Sequence, residues 1–138
     1  MTFTYEVWLC LVAIFREARG QSQAARVGIW FALHNRVGVA PFRPTLVRCI
    51  LEPFAVSSFN HGSTDAVFPN DGIPTDWAAW QEIEQIPAQV EGTIDPTANS
   101  VYYESAPLDQ LDALRASSPW FAADKMTVQL DGIRFYHA

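Results

Sequence analysis

Apolar side chains recur at helical spacing through the first third of the chain. The longest apolar run, VWLCLVAIF at residues 7–15, predicts a helix that begins near Thr4 as N-cap and ends by Arg19, before Gly20. One face of this helix consists of Trp8, Leu11, Val12 and Phe15, and the adjacent face of Cys10, Ala13, Ile14 and Glu17. The run is too short to span a bilayer, so we interpret it as a core helix.

A second helix is predicted from Ser22, its N-cap, to about Arg36, with a stop at Gly38. Its apolar stripe consists of Val27, Trp30, Phe31 and His34, and a strip of smaller residues consists of Gly28, Ala32 and Asn35. The small strip indicates a face on which another helix could approach closely.

Turn formers dominate the middle of the chain. A loop at residues 41–45 precedes a short helix at 46–52, and a long irregular segment follows from Pro53 to Thr75. Long irregular segments in compact domains often carry function. Thr75 is expected to cap a helix over residues 76–86, and Pro87 either kinks this helix or begins a second short helix that ends near Gly92.

The pattern changes to strands in the last third. SVYYES at 100–105 is a short strand, and Asp131-Gly132 between two strand-like runs predicts a hairpin. The sequence therefore predicts an α+β fold, mostly helical, with a small antiparallel sheet formed late in the chain. We expect one domain over residues 1–138.

Charge and cysteine content exclude several classes of function. The formal charge is −6 and the nine basic residues are scattered, which argues against a nucleic-acid partner. The two cysteines, Cys10 and Cys49, lack metal-type spacing, and we interpret them as buried thiols, although one bridge between helices stays open. The N-terminal flank of the apolar run carries Glu6 and no basic residue, unlike a signal peptide. We expect no membrane insertion and a monomer.

Glu17 is an acid at the end of an apolar helix. The negative end of the helix dipole and apolar neighbours such as Ala13 and Ile14 would both raise its pKa, as a general acid near neutral pH requires. Arg16 and Arg19 would oppose that rise if they pointed at the carboxyl. On local sequence alone, a solvated acid beside two arginines is the simpler interpretation.

A series of motifs changes that balance. The chain contains four motifs in this order: EARGQSQAARVGIWFALHNRV, FRPTLVRCI, DPTANSVYY and the terminal GIRFY. In these motifs and in their order, over nearly its whole length, the chain resembles the spore cortex-lytic (SleB/CwlJ) family of cell-wall hydrolases. The resemblance implies a lysozyme-like domain that acts on peptidoglycan glycan strands, without a cofactor or a metal. It implies that Glu17 is the catalytic acid at the bond between N-acetylmuramic acid and N-acetylglucosamine, as in a lytic transglycosylase. The C-terminal stretch of the chain also resembles the C-terminal motif of phage-type lysins.

Some positions depart from the family pattern. Gln21 stands where the family has a second glutamate, Ala98 and Asn99 replace two glycines, and Ile133 replaces a histidine. The residues that we expect to contact substrate are Gln21, Ser58, Phe59, Tyr102, Tyr103 and Trp120. For Trp120 the residues alone favour a core position over a stacking platform, and Asn35 is expected to brace the helices as a buried polar group.

Several alternatives stay open at this level. A second catalytic carboxylate could come from Glu52, Asp65, Asp95 or Glu104. The chain could be an inactive glycan-binding relative, or a zinc amidase that uses His34, His61 and His137. It could act as a phage lysin that another protein releases, or as part of a larger exported enzyme.

Overall fold

The computed structural model describes residues 2–52, 55–60 and 62–138. Helices form where the apolar spacing predicts them, and one further helix, α6, follows the first strand. The helices are α1 (Tyr5–Ala18), α2 (Gln23–Asn35), α3 (Leu46–Leu51), α4 (Pro74–Ile83), α5 (Ile86–Gln89) and α6 (Leu108–Ser117). In the described part of the chain, no helix has the length and apolar character needed to cross a membrane.

Helix α1 is the central element of the core. The Thr4 side chain accepts a hydrogen bond from the Val7 N–H and so begins the helix as predicted. Every residue from Leu9 to Phe15 is buried, and α1 contacts α2, α3 and α4. Trp8 differs from the other residues of its predicted face, because its ring is partly exposed and packs against Tyr5 and Phe68.

Helix α2 buries a different face from the predicted one. Its buried positions are Ala25, Arg26, Gly28, Ile29, Ala32 and Leu33, whereas the predicted stripe of larger side chains is only half-buried. The cause is a close approach by the sheet: a Cβ on Gly28 would lie 2.5 Å from the Phe135 ring. The small-residue strip therefore does permit close packing, but against a strand.

Helix α4 begins earlier than the sequence predicts. Thr75 is not its cap, because Pro74 takes the first helical position after Ile73. Proline suits that position, where the missing N–H would have no partner in the helix. Helix α4 ends at Ile83, before the predicted end at Ile86. The predicted second short helix is present as α5, which carries Pro87 in its first turn.

The sheet confirms the predicted fold class. Its strands are β1 (Tyr102–Glu104), β2 (Met126–Leu130) and β3 (Ile133–Tyr136), all antiparallel in the order β1-β3-β2. Asp131 and Gly132 form the predicted hairpin turn, with Asp131 at φ 53°. Strand β3 is buried along its length and packs on α2.

Both cysteines are buried free thiols, as predicted.

Candidate active site

A cleft of about 470 Å³ opens between the end of α1, the end of α2 and the sheet. Its polar lining consists of Glu17, Arg36, Ser57, Glu104 and Ser105. Its aromatic lining consists of Phe42, Tyr102, Tyr103, Trp120 and Phe121. The remaining lining residues are Ala55, Val56, Leu114 and Ile133. Glu17 therefore shares the cleft with a largely aromatic wall.

The Glu17 carboxyl is half-buried in the last turn of α1. Burial, the largest influence, raises the pKa of this carboxyl above its ordinary value, and the negative charge of Asp65 raises it further. The Ser58 N–H and hydroxyl and the Arg36 guanidinium lower the pKa without outweighing burial. Glu17 is thus held in an environment that favours its neutral, proton-donating form.

The two arginines beside Glu17 in sequence both point away from its carboxyl. Arg16 donates from Nε to the Val67 carbonyl at 2.8 Å, and its guanidinium lies between the Phe59 and Phe68 rings. Arg19 lies over the Phe15 ring. The positive charge that lowers the pKa of Glu17 therefore comes from Arg36 and not from these two arginines.

Arg36 is a site residue that the sequence reasoning did not single out. It follows α2 and is buried, donating from Nε to the Val101 carbonyl at 2.7 Å and from a terminal nitrogen to Ala55 at 3.0 Å. Its guanidinium also lies 5.0 Å from the Phe42 ring centre. The signal for Arg36 was present in the NR that ends the second helix motif.

The aromatic wall joins residues from three separate segments. Tyr102 lies in β1, and its ring centre is 5.4 Å from Phe42, 6.1 Å from Trp120 and 6.3 Å from Phe121. Trp120 is 43% exposed, so a core position for this residue is wrong. Tyr103 also lines the cleft while its ring packs near Phe135. Phe42 and Phe121 were not predicted as lining residues, although Phe42 begins the FRPTLVRCI motif.

The other three predicted substrate residues lie outside the cleft lining. Ser58 is buried beside Glu17, and its hydroxyl has no hydrogen bond of ordinary geometry within the described residues. Phe59 packs against Arg16 on the far side of the same turn. Gln21 accepts a hydrogen bond from the Gly132 N–H at 2.8 Å and so joins the loop after α1 to the β-hairpin. Contacts of these three residues with substrate stay predictions.

Of the four carboxylates considered as a second catalytic group, three are held by structural partners. Burial alone would raise the pKa of Glu104, but hydrogen bonds from Arg134 and Tyr136 hold that pKa below its ordinary value. Asp95 accepts hydrogen bonds from Asn35, Thr97 and Asn99. Glu52 pairs with Arg43 at the surface, at 2.9 Å and 3.0 Å.

Asp65 differs from those three carboxylates. It is exposed, and its charge acts on Glu17.

Asn35, which donates to Asp95 and to the Ser100 carbonyl, braces the end of α2 against the DPT turn.

Two of the three histidines considered as zinc ligands, His34 and His137, lie in the described part of the chain. The Nδ1 of His34 bonds with the Trp30 carbonyl inside α2, and His137 is exposed near the chain end. His61 lies outside the described residues. Among the residues that the structure describes, no three His, Cys, Asp or Glu side chains come together as a metal site.

Ile133 occupies the cleft wall at the position where the SleB/CwlJ pattern has histidine. It is buried, and an aliphatic side chain there adds no charge or proton-transfer group to the site.

No model of a known protein family matches the sequence, and no curated protein matches it. Among solved structures, the chain is similar to the catalytic domain of the germination-specific lytic transglycosylase SleB from Bacillus anthracis, with a TM-score of 0.66 and 24% identity over 97% of this chain and 96% of that one. It is also similar to the catalytic domain of the Bacillus cereus SleB protein, with a TM-score of 0.65 and 25% identity over 95% and 88% of the two chains. The likeness confirms the resemblance that the motifs predicted: this chain has the lysozyme-like fold of the SleB catalytic domains.

Proposed function

We propose that this chain is a lytic transglycosylase that cleaves the bond between N-acetylmuramic acid and N-acetylglucosamine in peptidoglycan. The observation that carries the proposal is the position of Glu17, a half-buried acid with a raised pKa at an aromatic cleft. The similarity to SleB, which is described as a lytic transglycosylase, supports the same activity.

Glu17 carries the chemistry in two steps. Its protonated carboxyl first donates a proton to the glycosidic oxygen as the bond to C1 of the muramic acid breaks. The carboxylate that remains then accepts the proton of the muramic acid 6-hydroxyl while that oxygen bonds to C1. The product is a 1,6-anhydro ring, no water is consumed, and Glu17 ends as it began.

The surroundings of Glu17 suit a mechanism with one carboxyl. Hydrolysis normally uses two carboxyl groups, one as acid and one as base or nucleophile. In this cleft the other carboxylate, Glu104, accepts hydrogen bonds from the Arg134 guanidinium, the Tyr136 hydroxyl and the Ala106 N–H. An acceptor held by these donors is poorly placed to activate water, whereas the 6-hydroxyl attack needs no second acid.

The aromatic wall provides the binding surface. Tyr102, Trp120 and Phe121 present ring faces and edges at which the apolar faces of sugar rings can pack. The Arg36 guanidinium, buried and part of the cleft lining, adds a fixed positive charge that acts on Glu17.

The test is incubation of the protein with purified peptidoglycan and mass spectrometry of the products. We expect 1,6-anhydro-muropeptides from wild type, and none from Glu17→Gln, whose circular dichroism and thermal unfolding should match a folded protein. A reducing muramic acid end would identify a hydrolytic muramidase instead. Absence of any cleavage would favour the inactive glycan-binding relative, and wild-type turnover by Glu17→Gln would exclude the assigned role of Glu17.

A further inference from the structure

Arg16, in the last turn of α1, contacts the irregular segment between α3 and α4 at two separate places. Its Nε donates to the Val67 carbonyl at 2.8 Å and its Nη1 to the Ser58 carbonyl at 3.4 Å. The central carbon of its guanidinium lies 4.5 Å from the Phe59 ring centre and 4.7 Å from that of Phe68. One side chain therefore holds residues 58–59 and residues 67–68, and we call these contacts the Arg16 clamp.

The chemistry of arginine suits this clamp. A planar guanidinium donates hydrogen bonds along its edge while its faces can stack on aromatic rings. The Arg16 side chain is half-buried, and no carboxylate of the described residues lies within ion-pair distance of it. Its positive charge is therefore met by carbonyl oxygens and aromatic rings of the segment, and the segment is what loses contacts when Arg16 is replaced.

Both ends of the clamp lead to a group that acts on Glu17. Ser58 is buried, and its N–H and hydroxyl lower the pKa of the Glu17 carboxyl. At the other end, the Val67 N–H donates to the Asp65 carbonyl at 2.8 Å, and the Asp65 charge raises that same pKa. Arg16 is therefore linked to the two groups of the segment that set the acidity of Glu17.

Arg16 and Glu17 are consecutive residues of one helix. Consecutive side chains of an α-helix point about 100° apart, so Arg16 reaches the segment while the Glu17 carboxyl lies at the cleft. The Asp65 N–H donates to the Ser63 hydroxyl at 3.2 Å, which ties Asp65 to its own segment but not to α1. Arg16 adds hydrogen bonds between this segment and the helix that carries Glu17.

We propose that Arg16 is a positioning residue for Glu17, because its clamp holds the segment that carries Ser58 and Asp65 against the end of α1. The proposal rests on the proposed function in that it takes Glu17 to be the catalytic acid. It predicts that the influence of Asp65 on Glu17 depends on the Arg16 side chain.

The other charged and titratable groups near Glu17 come from elements that the clamp does not hold. Arg36, which follows α2, lowers the pKa of Glu17 by its positive charge. Tyr103 of β1 also interacts with Glu17, and burial raises the pKa of this tyrosine, so it stays neutral while Glu17 titrates. Arg19 shares the last turn of α1 with Arg16, but its guanidinium lies over the Phe15 ring, 5.4 Å from the ring centre. Arg19→Met is therefore the matched control, since it removes a neighbouring positive charge and leaves the clamp intact.

The experiment measures the pKa of Glu17 by carbon-13 NMR titration of its carboxyl, with Glu17→Gln to identify the signal. Asp65→Asn is introduced into wild type, into Arg16→Met and into Arg19→Met. We expect Asp65→Asn to lower the pKa of Glu17 in wild type and in Arg19→Met, and to have little effect in Arg16→Met. Arg16→Lys keeps the charge but cannot donate to both carbonyls as the guanidinium does, so the effect of Asp65→Asn should be reduced there as well. This second background keeps the test decisive if Arg16→Met does not fold.

Turnover of purified peptidoglycan provides the second measurement. We expect Arg16→Met to lower kcat by about tenfold and to leave KM within about twofold of wild type, because a displaced segment disturbs the acid and not the aromatic wall. Arg19→Met should behave as wild type, and Arg16→Lys should recover part of the loss. An equal fall of kcat in Arg16→Met and Arg19→Met would overturn the proposal.

The titration also separates this proposal from the proposed function. If wild type cuts nothing while the effect of Asp65→Asn on the Glu17 pKa requires Arg16, the positioning proposal is supported and the catalytic one is wrong. If wild type forms 1,6-anhydro products while Asp65→Asn shifts the Glu17 pKa equally in the wild-type and Arg16→Met backgrounds, the catalytic proposal stands and the positioning role of Arg16 is wrong.

Discussion

The acidity of Glu17 depends on groups that lie far from it in sequence. Its position at a helix end and its apolar neighbours predicted a raised pKa, and burial in the structure acts in that direction. The sequence did not show whether Arg16 and Arg19 point at the carboxyl and so lower its pKa. Their side chains point elsewhere, and the effective charges come from Arg36 and Asp65.

The pH dependence of activity should report this environment through Asp65. In the proposed mechanism Glu17 donates a proton first, so activity should fall as pH rises through its raised pKa. The Asp65 charge contributes to that rise, so Asp65→Asn should lower the pKa and move the alkaline decline to lower pH. The rate on the acidic side should stay at the wild-type level, and the pH–rate profile is the measurement.

Asp71→Asn is the control for this experiment, since Asp71 is an exposed acid of the same irregular segment without an effect on Glu17. Because Asp65 is exposed, high salt should reduce the difference between wild type and Asp65→Asn. A loss of about a hundredfold or more at every pH would instead make Asp65 a second catalytic carboxylate.

Among the elements, the helices with a strong apolar period were predicted best. The α1 and α2 boundaries follow from Thr4 and Ser22, whose side chains cap the first turns. Helix α6 was missed because Leu111 is its one buried residue and, apart from the half-buried Leu114, its other residues are polar or exposed, so the apolar period is weak. The buried face of α2 was misjudged because its partner, Phe135, comes from the other end of the chain.

The turn before β1 offers a test of the departures from the family pattern. Ala98 and Asn99 stand where the family has glycines, and both adopt left-handed backbone, with φ of 52° and 64°. Asparagine tolerates this conformation, but alanine does not adopt it without strain. Ala98→Gly should therefore stabilise the protein by about 0.5–1 kcal/mol, even though glycine increases the freedom of the unfolded chain.

The same substitution in α6 is the control, measured in parallel by urea unfolding. Ala113 is exposed in the middle of that helix, where glycine should cost about 1 kcal/mol. Opposite signs at the two positions would show that the backbone of the DPTAN turn is strained by Ala98. A loss of stability in Ala98→Gly would show that the turn does not need glycine.

At the scale of the whole molecule, the sequence predicted the candidate acid, Glu17, but not the cleft around it. Glu17, Tyr102, Tyr103 and Trp120 were identified from motifs, and all four line the cleft. Phe42, Phe121 and Arg36 complete it from loops and a helix end, and their convergence depends on packing between distant segments.

The buried ion pair between β1 and β3 connects this cleft to the stability of the whole protein. The Glu104 carboxylate accepts hydrogen bonds from the Arg134 guanidinium at 2.5 and 3.0 Å, from the Tyr136 hydroxyl at 2.7 Å and from the Ala106 N–H at 2.7 Å. Glu104→Gln would leave a buried guanidinium without a counter-charge, which should cost about 3–5 kcal/mol of unfolding free energy. Glu104→Gln combined with Arg134→Met should be less destabilised than the sum of the single variants.

Acid unfolding gives the same ion pair a second measurement. The pKa of Glu104 lies below its ordinary value in the folded protein, so its contribution is present above the unfolded pKa and lost as pH falls through the folded one. Wild type should therefore lose more stability on acidification than Glu104→Gln does, as followed by urea unfolding at several pH values. If the folded double variant still forms 1,6-anhydro products below its unfolding temperature, Glu104 has a structural role in the cleft wall and Glu17 is the only carboxyl that the reaction needs. Loss of all activity in a folded double variant would instead show that Glu104 takes part in catalysis.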